Sequence, residues 1–200
     1  YQVPVKDITA TKEWVNGAEK KTDIWFQLSR KTPNGSLEKV GTPKALPIGT
    51  EQAEWKNLPE TDDDGNVYTY SVQEVDQDGN DFTPADFTKV EKGLEVTNTY
   101  QAEKIKVDAT KEWVGGPADR PTVWFQLYRN TAGETPAAVA DADIKALPNG
   151  TTEVSWRGLD KTDKDGKAYI YTVKEVSKDG EDFTPKNYVK TENGLTVTNT

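Results

Sequence analysis

The sequence contains no cysteine and no histidine. The first absence excludes disulfides, thiolate nucleophiles and Cys-ligated zinc. The second excludes His-based triads and imidazole metal sites. Basic residues are in the minority, 25 Lys plus Arg against 34 Asp plus Glu, for a net charge of −9. That balance lacks the electrostatic footprint of a nucleic-acid binder. No apolar run approaches the length of a membrane span, so no membrane insertion is expected of this segment. Hydrophobic residues make up only 34% of the 200 positions, but aromatics reach 10%, which argues against disorder. No cofactor is called for. If the chain works outside the cell, it must hold itself together without disulfides.

The sequence repeats itself. Ala10-Thr11-Lys12-Glu13-Trp14-Val15 recurs as Ala109-Thr110-Lys111-Glu112-Trp113-Val114, and Trp25-Phe26-Gln27-Leu28 as Trp124-Phe125-Gln126-Leu127. Lys44-Ala45-Leu46-Pro47 recurs as Lys145-Ala146-Leu147-Pro148, and Tyr70-Ser71-Val72-Gln73-Glu74-Val75 as Tyr171-Thr172-Val173-Lys174-Glu175-Val176. Asp81-Phe82-Thr83-Pro84 and Val96-Thr97-Asn98-Thr99 return as Asp182-Phe183-Thr184-Pro185 and Val197-Thr198-Asn199-Thr200. The offset grows by two residues between Leu127 and Lys145, which places a small insertion in a surface loop there. A period of about a hundred residues is a whole domain rather than a solenoid unit. Two domains are expected, residues 1–100 and 101–200. Nothing Pro- or Gly-rich separates Asn98 from Lys111, so a close, stiff succession of domains is expected. Tyr1-Gln2 matches Tyr100-Gln101, as though a further repeat preceded the first, and the chain is expected to be a segment of a longer array.

Within each repeat the pattern is β. Ile24, Phe26 and Leu28 alternate onto one face, as do Tyr68, Tyr70, Val72 and Glu74, and Leu94, Val96 and Asn98. Turn signals punctuate these runs: Asn16-Gly17, Asn34-Gly35, Asp64-Gly65, Asp78-Gly79 and Lys92-Gly93. Several short strands separated by turns in about a hundred residues predict an all-β sandwich.

Alternation also exposes an anomaly. Lys12 lies two residues before Trp14, a core candidate, and so points inward. Glu74 lies on the face of Tyr70 and Val72, and Asn98 on the face of Leu94 and Val96. Lys111, Glu175 and Asn199 are the second set. A buried unpaired charge is costly, and a buried ion pair often fails to offset its desolvation. Burial lowers the pKa of a Lys and raises that of a Glu, so the pair can become a neutral amine and a neutral acid. A neutral amine is a nucleophile. Facing the Asn side-chain carbonyl, it can attack while the Glu shuttles protons and bonds the developing oxyanion. Ammonia leaves, and an amide joins the first and last strands. On pattern alone this reading stands beside a plainer one, a satisfied ion pair with an Asn that bonds the backbone of a turn.

Lys-x-Trp near the start, Tyr-x-Val-x-Glu in the third quarter and Val-Thr-Asn-Thr at the end, in that order and twice over, resemble the Cna B-type domains. These are repeat modules of Gram-positive surface adhesins and pilins, and the resemblance covers almost all of both repeats. It implies two tandem immunoglobulin-like sandwiches, each with a spontaneous Lys–Asn isopeptide bond assisted by an acidic residue. Carried over, Lys12 joins Asn98 with Glu74 assisting, and Lys111 joins Asn199 with Glu175 assisting. It implies a bacterial cell-surface location, with cell-wall anchoring through a parent chain, and a stalk or spacer role. The chemistry is a single-turnover reaction, so no enzyme is expected. The expected partners are neighbouring repeats of the same chain and a host extracellular protein or glycan.

Other signals carry less. Asp62-Asp63-Asp64-Gly65-Asn66, Asp76-Gln77-Asp78-Gly79 and Asp163-Lys164-Asp165-Gly166 resemble calcium loops faintly, but none has the ligand spacing of an EF-hand, and Asp-Gly is an ordinary turn signal. Trp25 and Trp124 alternate outward from Phe26 and Phe125. They either anchor a ligand or cover a sheet face beside long charged side chains. A multivalent binding module is thus the alternative to a spacer. The mismatch between Ser29–Leu37 and Asn130–Pro136 favours the spacer. A hydrolase with paired carboxylates has little support, since each set has one acid and no second acid recurs beside it.

Overall fold

The computed structural model describes residues 3–200. The Tyr1-Gln2 echo of Tyr100-Gln101 lies outside the described residues. The chain divides into two compact units, the first ending at Gln101 and the second beginning at Ala102.

The first unit holds β1 (Val5–Val15), a turn of 3-10 helix (Ala18–Lys20), β2 (Ile24–Lys31), β3 (Glu38–Leu46), β4 (Gln52–Pro59), β5 (Thr69–Val75), β6 (Phe87–Lys92) and β7 (Glu95–Tyr100). One sheet has the order β4-β1-β7-β6 and the other β3-β2-β5. All pairings are antiparallel except that of β1 with β7, which is parallel and sets Lys12 opposite Val96 and Trp14 opposite Asn98. The first and last strands of this unit are thus neighbours at the centre of one sheet. The inward faces bury Ile8, Ala10, Ile24, Phe26, Leu28, Leu46, Ala53, Tyr70, Val72 and Val96 between the sheets, the dry layer that makes a sandwich. The expected faces of β2, β5 and β7 all turn inward.

Alternation does not account for the outer side of β2. Gln27 and Ser29 are buried there. The ladder between β2 and β3 slips between Phe26, paired with Lys44, and Leu28, paired with Val40. This bulge leaves β3 carbonyls without ladder partners, and the Gln27 Nε2 donates to Gly41 O at 3.2 Å and to Leu28 O at 2.8 Å. A polar side chain is drawn in to satisfy backbone groups that a regular ladder would have paired.

The second unit repeats the plan with β8 (Lys104–Trp113), β9 (Val123–Asn130), β10 (Ala137–Ala138), β11 (Lys145–Leu147), β12 (Glu153–Asp160), β13 (Ile170–Val176), β14 (Lys190–Asn193) and β15 (Thr196–Asn199). One sheet runs β12-β8-β15-β14, with β15 again parallel to β8. In the other, β9 pairs with β10, β11 and β13. The inserted residues do more than lengthen a loop, because they split the strand equivalent to β3 into β10 and β11. The detour is tied back by a turn, Ala142 N–H to Val139 O at 3.1 Å, and by Trp156 Nε1 donating to Asp143 O at 2.8 Å. The core is Val107, Ala109, Val123, Phe125, Leu127, Leu147, Tyr171, Val173 and Val197 with their neighbours.

A buried tyrosine ties the two sheets of each unit together. Tyr70 Oη donates to Pro59 O at 2.7 Å and Tyr171 Oη to Asp160 O at 2.6 Å, so each aromatic ring fills core while its hydroxyl finds a partner. Among the described residues, no helix is long and apolar enough to cross a membrane.

Candidate functional site

In β1 the buried positions are Ile8, Ala10 and Lys12, so the lysine occupies the next inward place after two apolar residues. In β5 they are Tyr70, Val72, Glu74 and Val75, and in β7 Val96, Asn98 and Tyr100. The strand period of two therefore delivers one cation, one carboxyl and one amide to the same interior. Lys12 and Asn98 come from adjacent parallel strands, two residues apart in register. Glu74 reaches them from the facing sheet. Lys12 retains 1% of its exposure, and Glu74 and Asn98 retain none.

The three side chains touch one another. Lys12 Nζ donates to Asn98 Oδ1 at 2.7 Å and lies 3.4 Å from Glu74 Oε2. Asn98 Nδ2 donates to Glu74 Oε1 at 2.9 Å. The amine thus meets the carbonyl side of the amide and the carboxyl meets its nitrogen, the atom that would depart. The sequence-based expectation is that the carboxyl also bonds the developing oxyanion. Here the carboxyl lies against the amide nitrogen, because β5 brings Glu74 to that side of the asparagine. Nor does Asn98 bond the backbone of a turn, as the plainer reading required. Both ends of its side chain are taken up by Lys12 and Glu74.

The second unit gathers Lys111, Glu175 and Asn199 at the equivalent positions, without the hydrogen bond from lysine to asparagine. Lys111 is 2% exposed, and Glu175 and Asn199 are fully buried. Lys111 Nζ lies 3.5 Å from Glu175 Oε2, and Asn199 Nδ2 donates to Glu175 Oε1 at 3.0 Å. The lysine here donates to Glu112 O at 2.8 Å and Val197 O at 3.3 Å, and Asn199 Oδ1 has no hydrogen-bond partner.

The electrostatics follow from burial. Loss of water pushes the Lys12 ammonium down to about 8, against the opposing charge of Glu74. The same loss pushes the Glu74 carboxyl up, with the Asn98 hydrogen bond and the Lys12 charge offsetting part of it. Lys111 is lowered and Glu175 raised for the same reasons. Both lysines are roofed by an aromatic ring: Lys12 Nζ lies 3.7 Å from the centroid of Trp14, and Lys111 Nζ lies 4.2 Å from that of Trp113. Trp14 stacks edge-on against Phe87 at 5.0 Å, and Trp113 against Tyr188 at 5.0 Å. These half-buried rings close the site to water. Chemically, the arrangement is an amine, a carboxyl that can take its proton, and an amide carbon that the amine could attack.

A second polar cluster, absent from the sequence-based expectations, lies behind the acid. Lys89 Nζ, on β6, lies 2.7 Å from Asp81 Oδ1 and 3.2 Å from Glu91 Oε1. It also donates to Phe82 O at 2.9 Å and Glu74 O at 3.3 Å. Lys190, Asp182 and Glu192 reproduce it. The signal was present, since Lys89-Val90-Glu91 recurs as Lys190-Thr191-Glu192, but nothing in alternation marks an edge lysine as important.

The acidic loops are turns. Asp62 Oδ1 accepts the N–H groups of Asp64 and Asn66, and Asp76 Oδ1 accepts those of Asp78 and Asn80. Asp163 Oδ1 accepts the Lys167 N–H. Trp25 and Trp124 are half-buried on the sides of β2 and β9 opposite Phe26 and Phe125.

Fold and repetition together define a pair of immunoglobulin-like sandwich modules, each with the same polar set in its core. The family model described as "Cna protein B-type domain" matches residues 8–99 and 107–200. A collagen adhesin of Staphylococcus aureus is 40% identical over 195 residues, covering 89% of this chain and 15% of its own length. The chain belongs to the Cna B-type domain family and spans about a seventh of that curated relative. Among solved structures, a single B repeat unit of the collagen-binding surface protein of S. aureus is similar at 22% identity and a TM-score of 0.36, with 98% of this chain and 97% of that one covered. The major pilin of Streptococcus pyogenes is similar at 14% identity and a TM-score of 0.39, with 98% and 97% covered.

Proposed function

We propose that the two domains are stalk or spacer modules of a bacterial surface adhesin or pilus-like protein, each locked by a self-formed isopeptide bond. Lys12 would join Asn98 with Glu74 assisting, and Lys111 would join Asn199 with Glu175 assisting. The observation that carries this reading is the burial of amine, carboxyl and amide together, twice, at equivalent positions, with all three in mutual contact in the first unit and with Glu175 touching both Lys111 and Asn199 in the second.

The step balances without a co-reactant. The lysine ammonium passes a proton to the carboxylate, leaving a neutral amine beside a neutral acid. Nζ attacks Cγ of the asparagine, and the Cγ–Nδ2 bond breaks. The acid gives its proton to the departing nitrogen and takes one from Nζ, so that ammonia leaves and an amide N–H remains. Each domain turns over once, which is self-modification rather than enzymatic catalysis.

The gain is conformational. Closing the chain from residue 12 to residue 98 is worth about 4 to 5 kcal/mol on the chain-entropy model used for disulfides. That is comparable with the whole stability of a marginal domain. It supplies what a chain without cysteine cannot get from disulfides. The named relatives, an adhesin and a pilin, support an extracellular, cell-surface location, with cell-wall anchoring through the remainder of a parent chain. The name of the collagen adhesin gives some support to the second reading, a multivalent module that binds a host protein or glycan. The half-buried Trp25 and Trp124, and the dissimilar Ser29–Leu37 and Asn130–Pro136 segments, favour the spacer.

Proteolytic digestion with peptide mass mapping tests the proposal. A branched peptide carrying Lys12 and Asn98, lighter by one ammonia, is expected, as is its Lys111–Asn199 counterpart. Linear peptides with both side chains intact would contradict it.

A further inference from the structure

Glu74 sits on β5, at the edge of the β3-β2-β5 sheet. Its main-chain N–H and C=O point off that edge, where the C=O accepts the Phe82 N–H at 3.3 Å, as the Glu175 C=O accepts the Phe183 N–H at 3.4 Å. Side chains of β6, in the opposite sheet, complete the pairing of both groups. Glu91 Oε1 accepts the Glu74 N–H at 2.8 Å, and Lys89 Nζ donates to Glu74 O at 3.3 Å. Lys89 is itself fixed by Asp81, Glu91 and Phe82 O, and its side chain is only 11% exposed. In the second unit Glu192 Oε1 accepts the Glu175 N–H at 2.9 Å, and Lys190 Nζ donates to Glu175 O at 3.1 Å. The same clamp therefore grips the backbone of the acid in both units, on the side away from the amine and the amide.

We propose that Lys89 with Glu91, and Lys190 with Glu192, are positioning residues that hold the carboxyls of Glu74 and Glu175 in line for proton transfer. This deepens the cross-linking reading and rests on it. An ion pair meant only to join two sheets can lie anywhere along them. This one converges on the backbone of the single residue whose side chain must lie between amine and leaving nitrogen. A displacement of the order of an ångström at such a group can cost about a hundredfold in rate. The clamp also bears on protonation. The charged groups facing Glu74 are Lys12 from β1 and Lys89 from β6. Glu91 stands behind them on β6, Asn98 is the polar neighbour on β7, and Phe26, paired with Glu74 from β2, adds no charge. Lys89 favours the carboxylate and so works against burial. Removing it lets the carboxyl rise further, so the acid side of the joining profile moves to higher pH.

The test uses the full chain, translated in a cell-free pulse and shifted to buffers from mildly acidic to mildly basic. Joining in each repeat is followed by peptide mass. Lys89→Met is expected to slow Lys12–Asn98 joining by about tenfold or more, while the second repeat keeps its rate as an internal control. The acid side of its pH profile moves up, and Lys89→Arg recovers most of the rate. Should Lys89→Met fail to fold, Glu91 decides: Glu91→Gln keeps an acceptor for the Glu74 N–H and stays within a few-fold of the parent, whereas Glu91→Leu is slowed by about tenfold. Unchanged rate and pH profile in Lys89→Met, or in Glu91→Leu, would overturn the positioning role and leave the cross-linking reading standing. A parent chain that never loses ammonia would overturn both.

Discussion

At the scale of single residues, what distinguishes these domains is that Lys12, Glu74 and Asn98 stand where alternation calls for apolar side chains. Glu74→Ala removes the proposed proton carrier. It should leave Lys12 and Asn98 unjoined and restore one ammonia to the mass, while Lys111 and Asn199 still join. Complete joining in that variant would remove the acid from the mechanism. The pH dependence follows from which protons the pair holds. A neutral amine beside a neutral acid needs one proton between them. As pH falls through the raised pKa of Glu74, the pair gains a second proton and the amine stays an ammonium, so joining slows. As pH rises above about 8, the pair loses its last proton, and no acid remains for the leaving nitrogen. Joining in the first repeat should therefore show a maximum below about 8, measured by mass after timed quenching. A rate that keeps rising well above that point would contradict the role of the acid.

At the scale of the element, the strands were legible because their period is two and their buried faces are apolar. The three polar residues were legible by the same logic, since Lys12 shares a face with Ile8 and Ala10, and Glu74 with Tyr70 and Val72. Features that depend on ladders going out of register were not. Gln27 reads as outward, yet a bulge in β3 draws it in. The insertion was visible as a change of offset, but its splitting of a strand into β10 and β11 was not. The Lys89 clamp bonds main-chain groups of distant residues, which no local pattern encodes. Bulges carry a further prediction. The β1–β4 ladder slips between Lys6 and Ile8, and Asn57 there adopts φ 55°, with its N–H bonded to Asp7 Oδ1 at 3.0 Å. The equivalent residue in the second unit is Gly158, at φ 71°. Asn and Gly are the residues that tolerate this left-handed conformation. Asn57→Gly should be nearly neutral, and Asn57→Val should cost about 1–2 kcal/mol in urea unfolding. Equal stability of the two variants would mean that the bulge relaxes at no cost.

At the scale of the whole molecule, the family and the repeat were both legible, because two copies of one pattern reinforce each other where single short motifs are weak. The proposed joining of β1 to β7 and of β8 to β15 would place a covalent bond between the first and last strands of each unit. Pulled from its ends, a joined repeat cannot release the residues between 12 and 98. In a force experiment the parent chain should show no full-length unfolding step. A Glu74→Gln, Glu175→Gln chain should show two, each releasing up to about 300 Å at roughly 3.3–3.6 Å per residue. Full-length steps in the parent would mean that its strands are held by hydrogen bonds alone. The most direct test of the account is the intact mass of the purified, unaltered chain. It should fall short of the mass calculated from the sequence by two molecules of ammonia, whereas a mass equal to the calculated one would contradict the cross-linking on which the account rests.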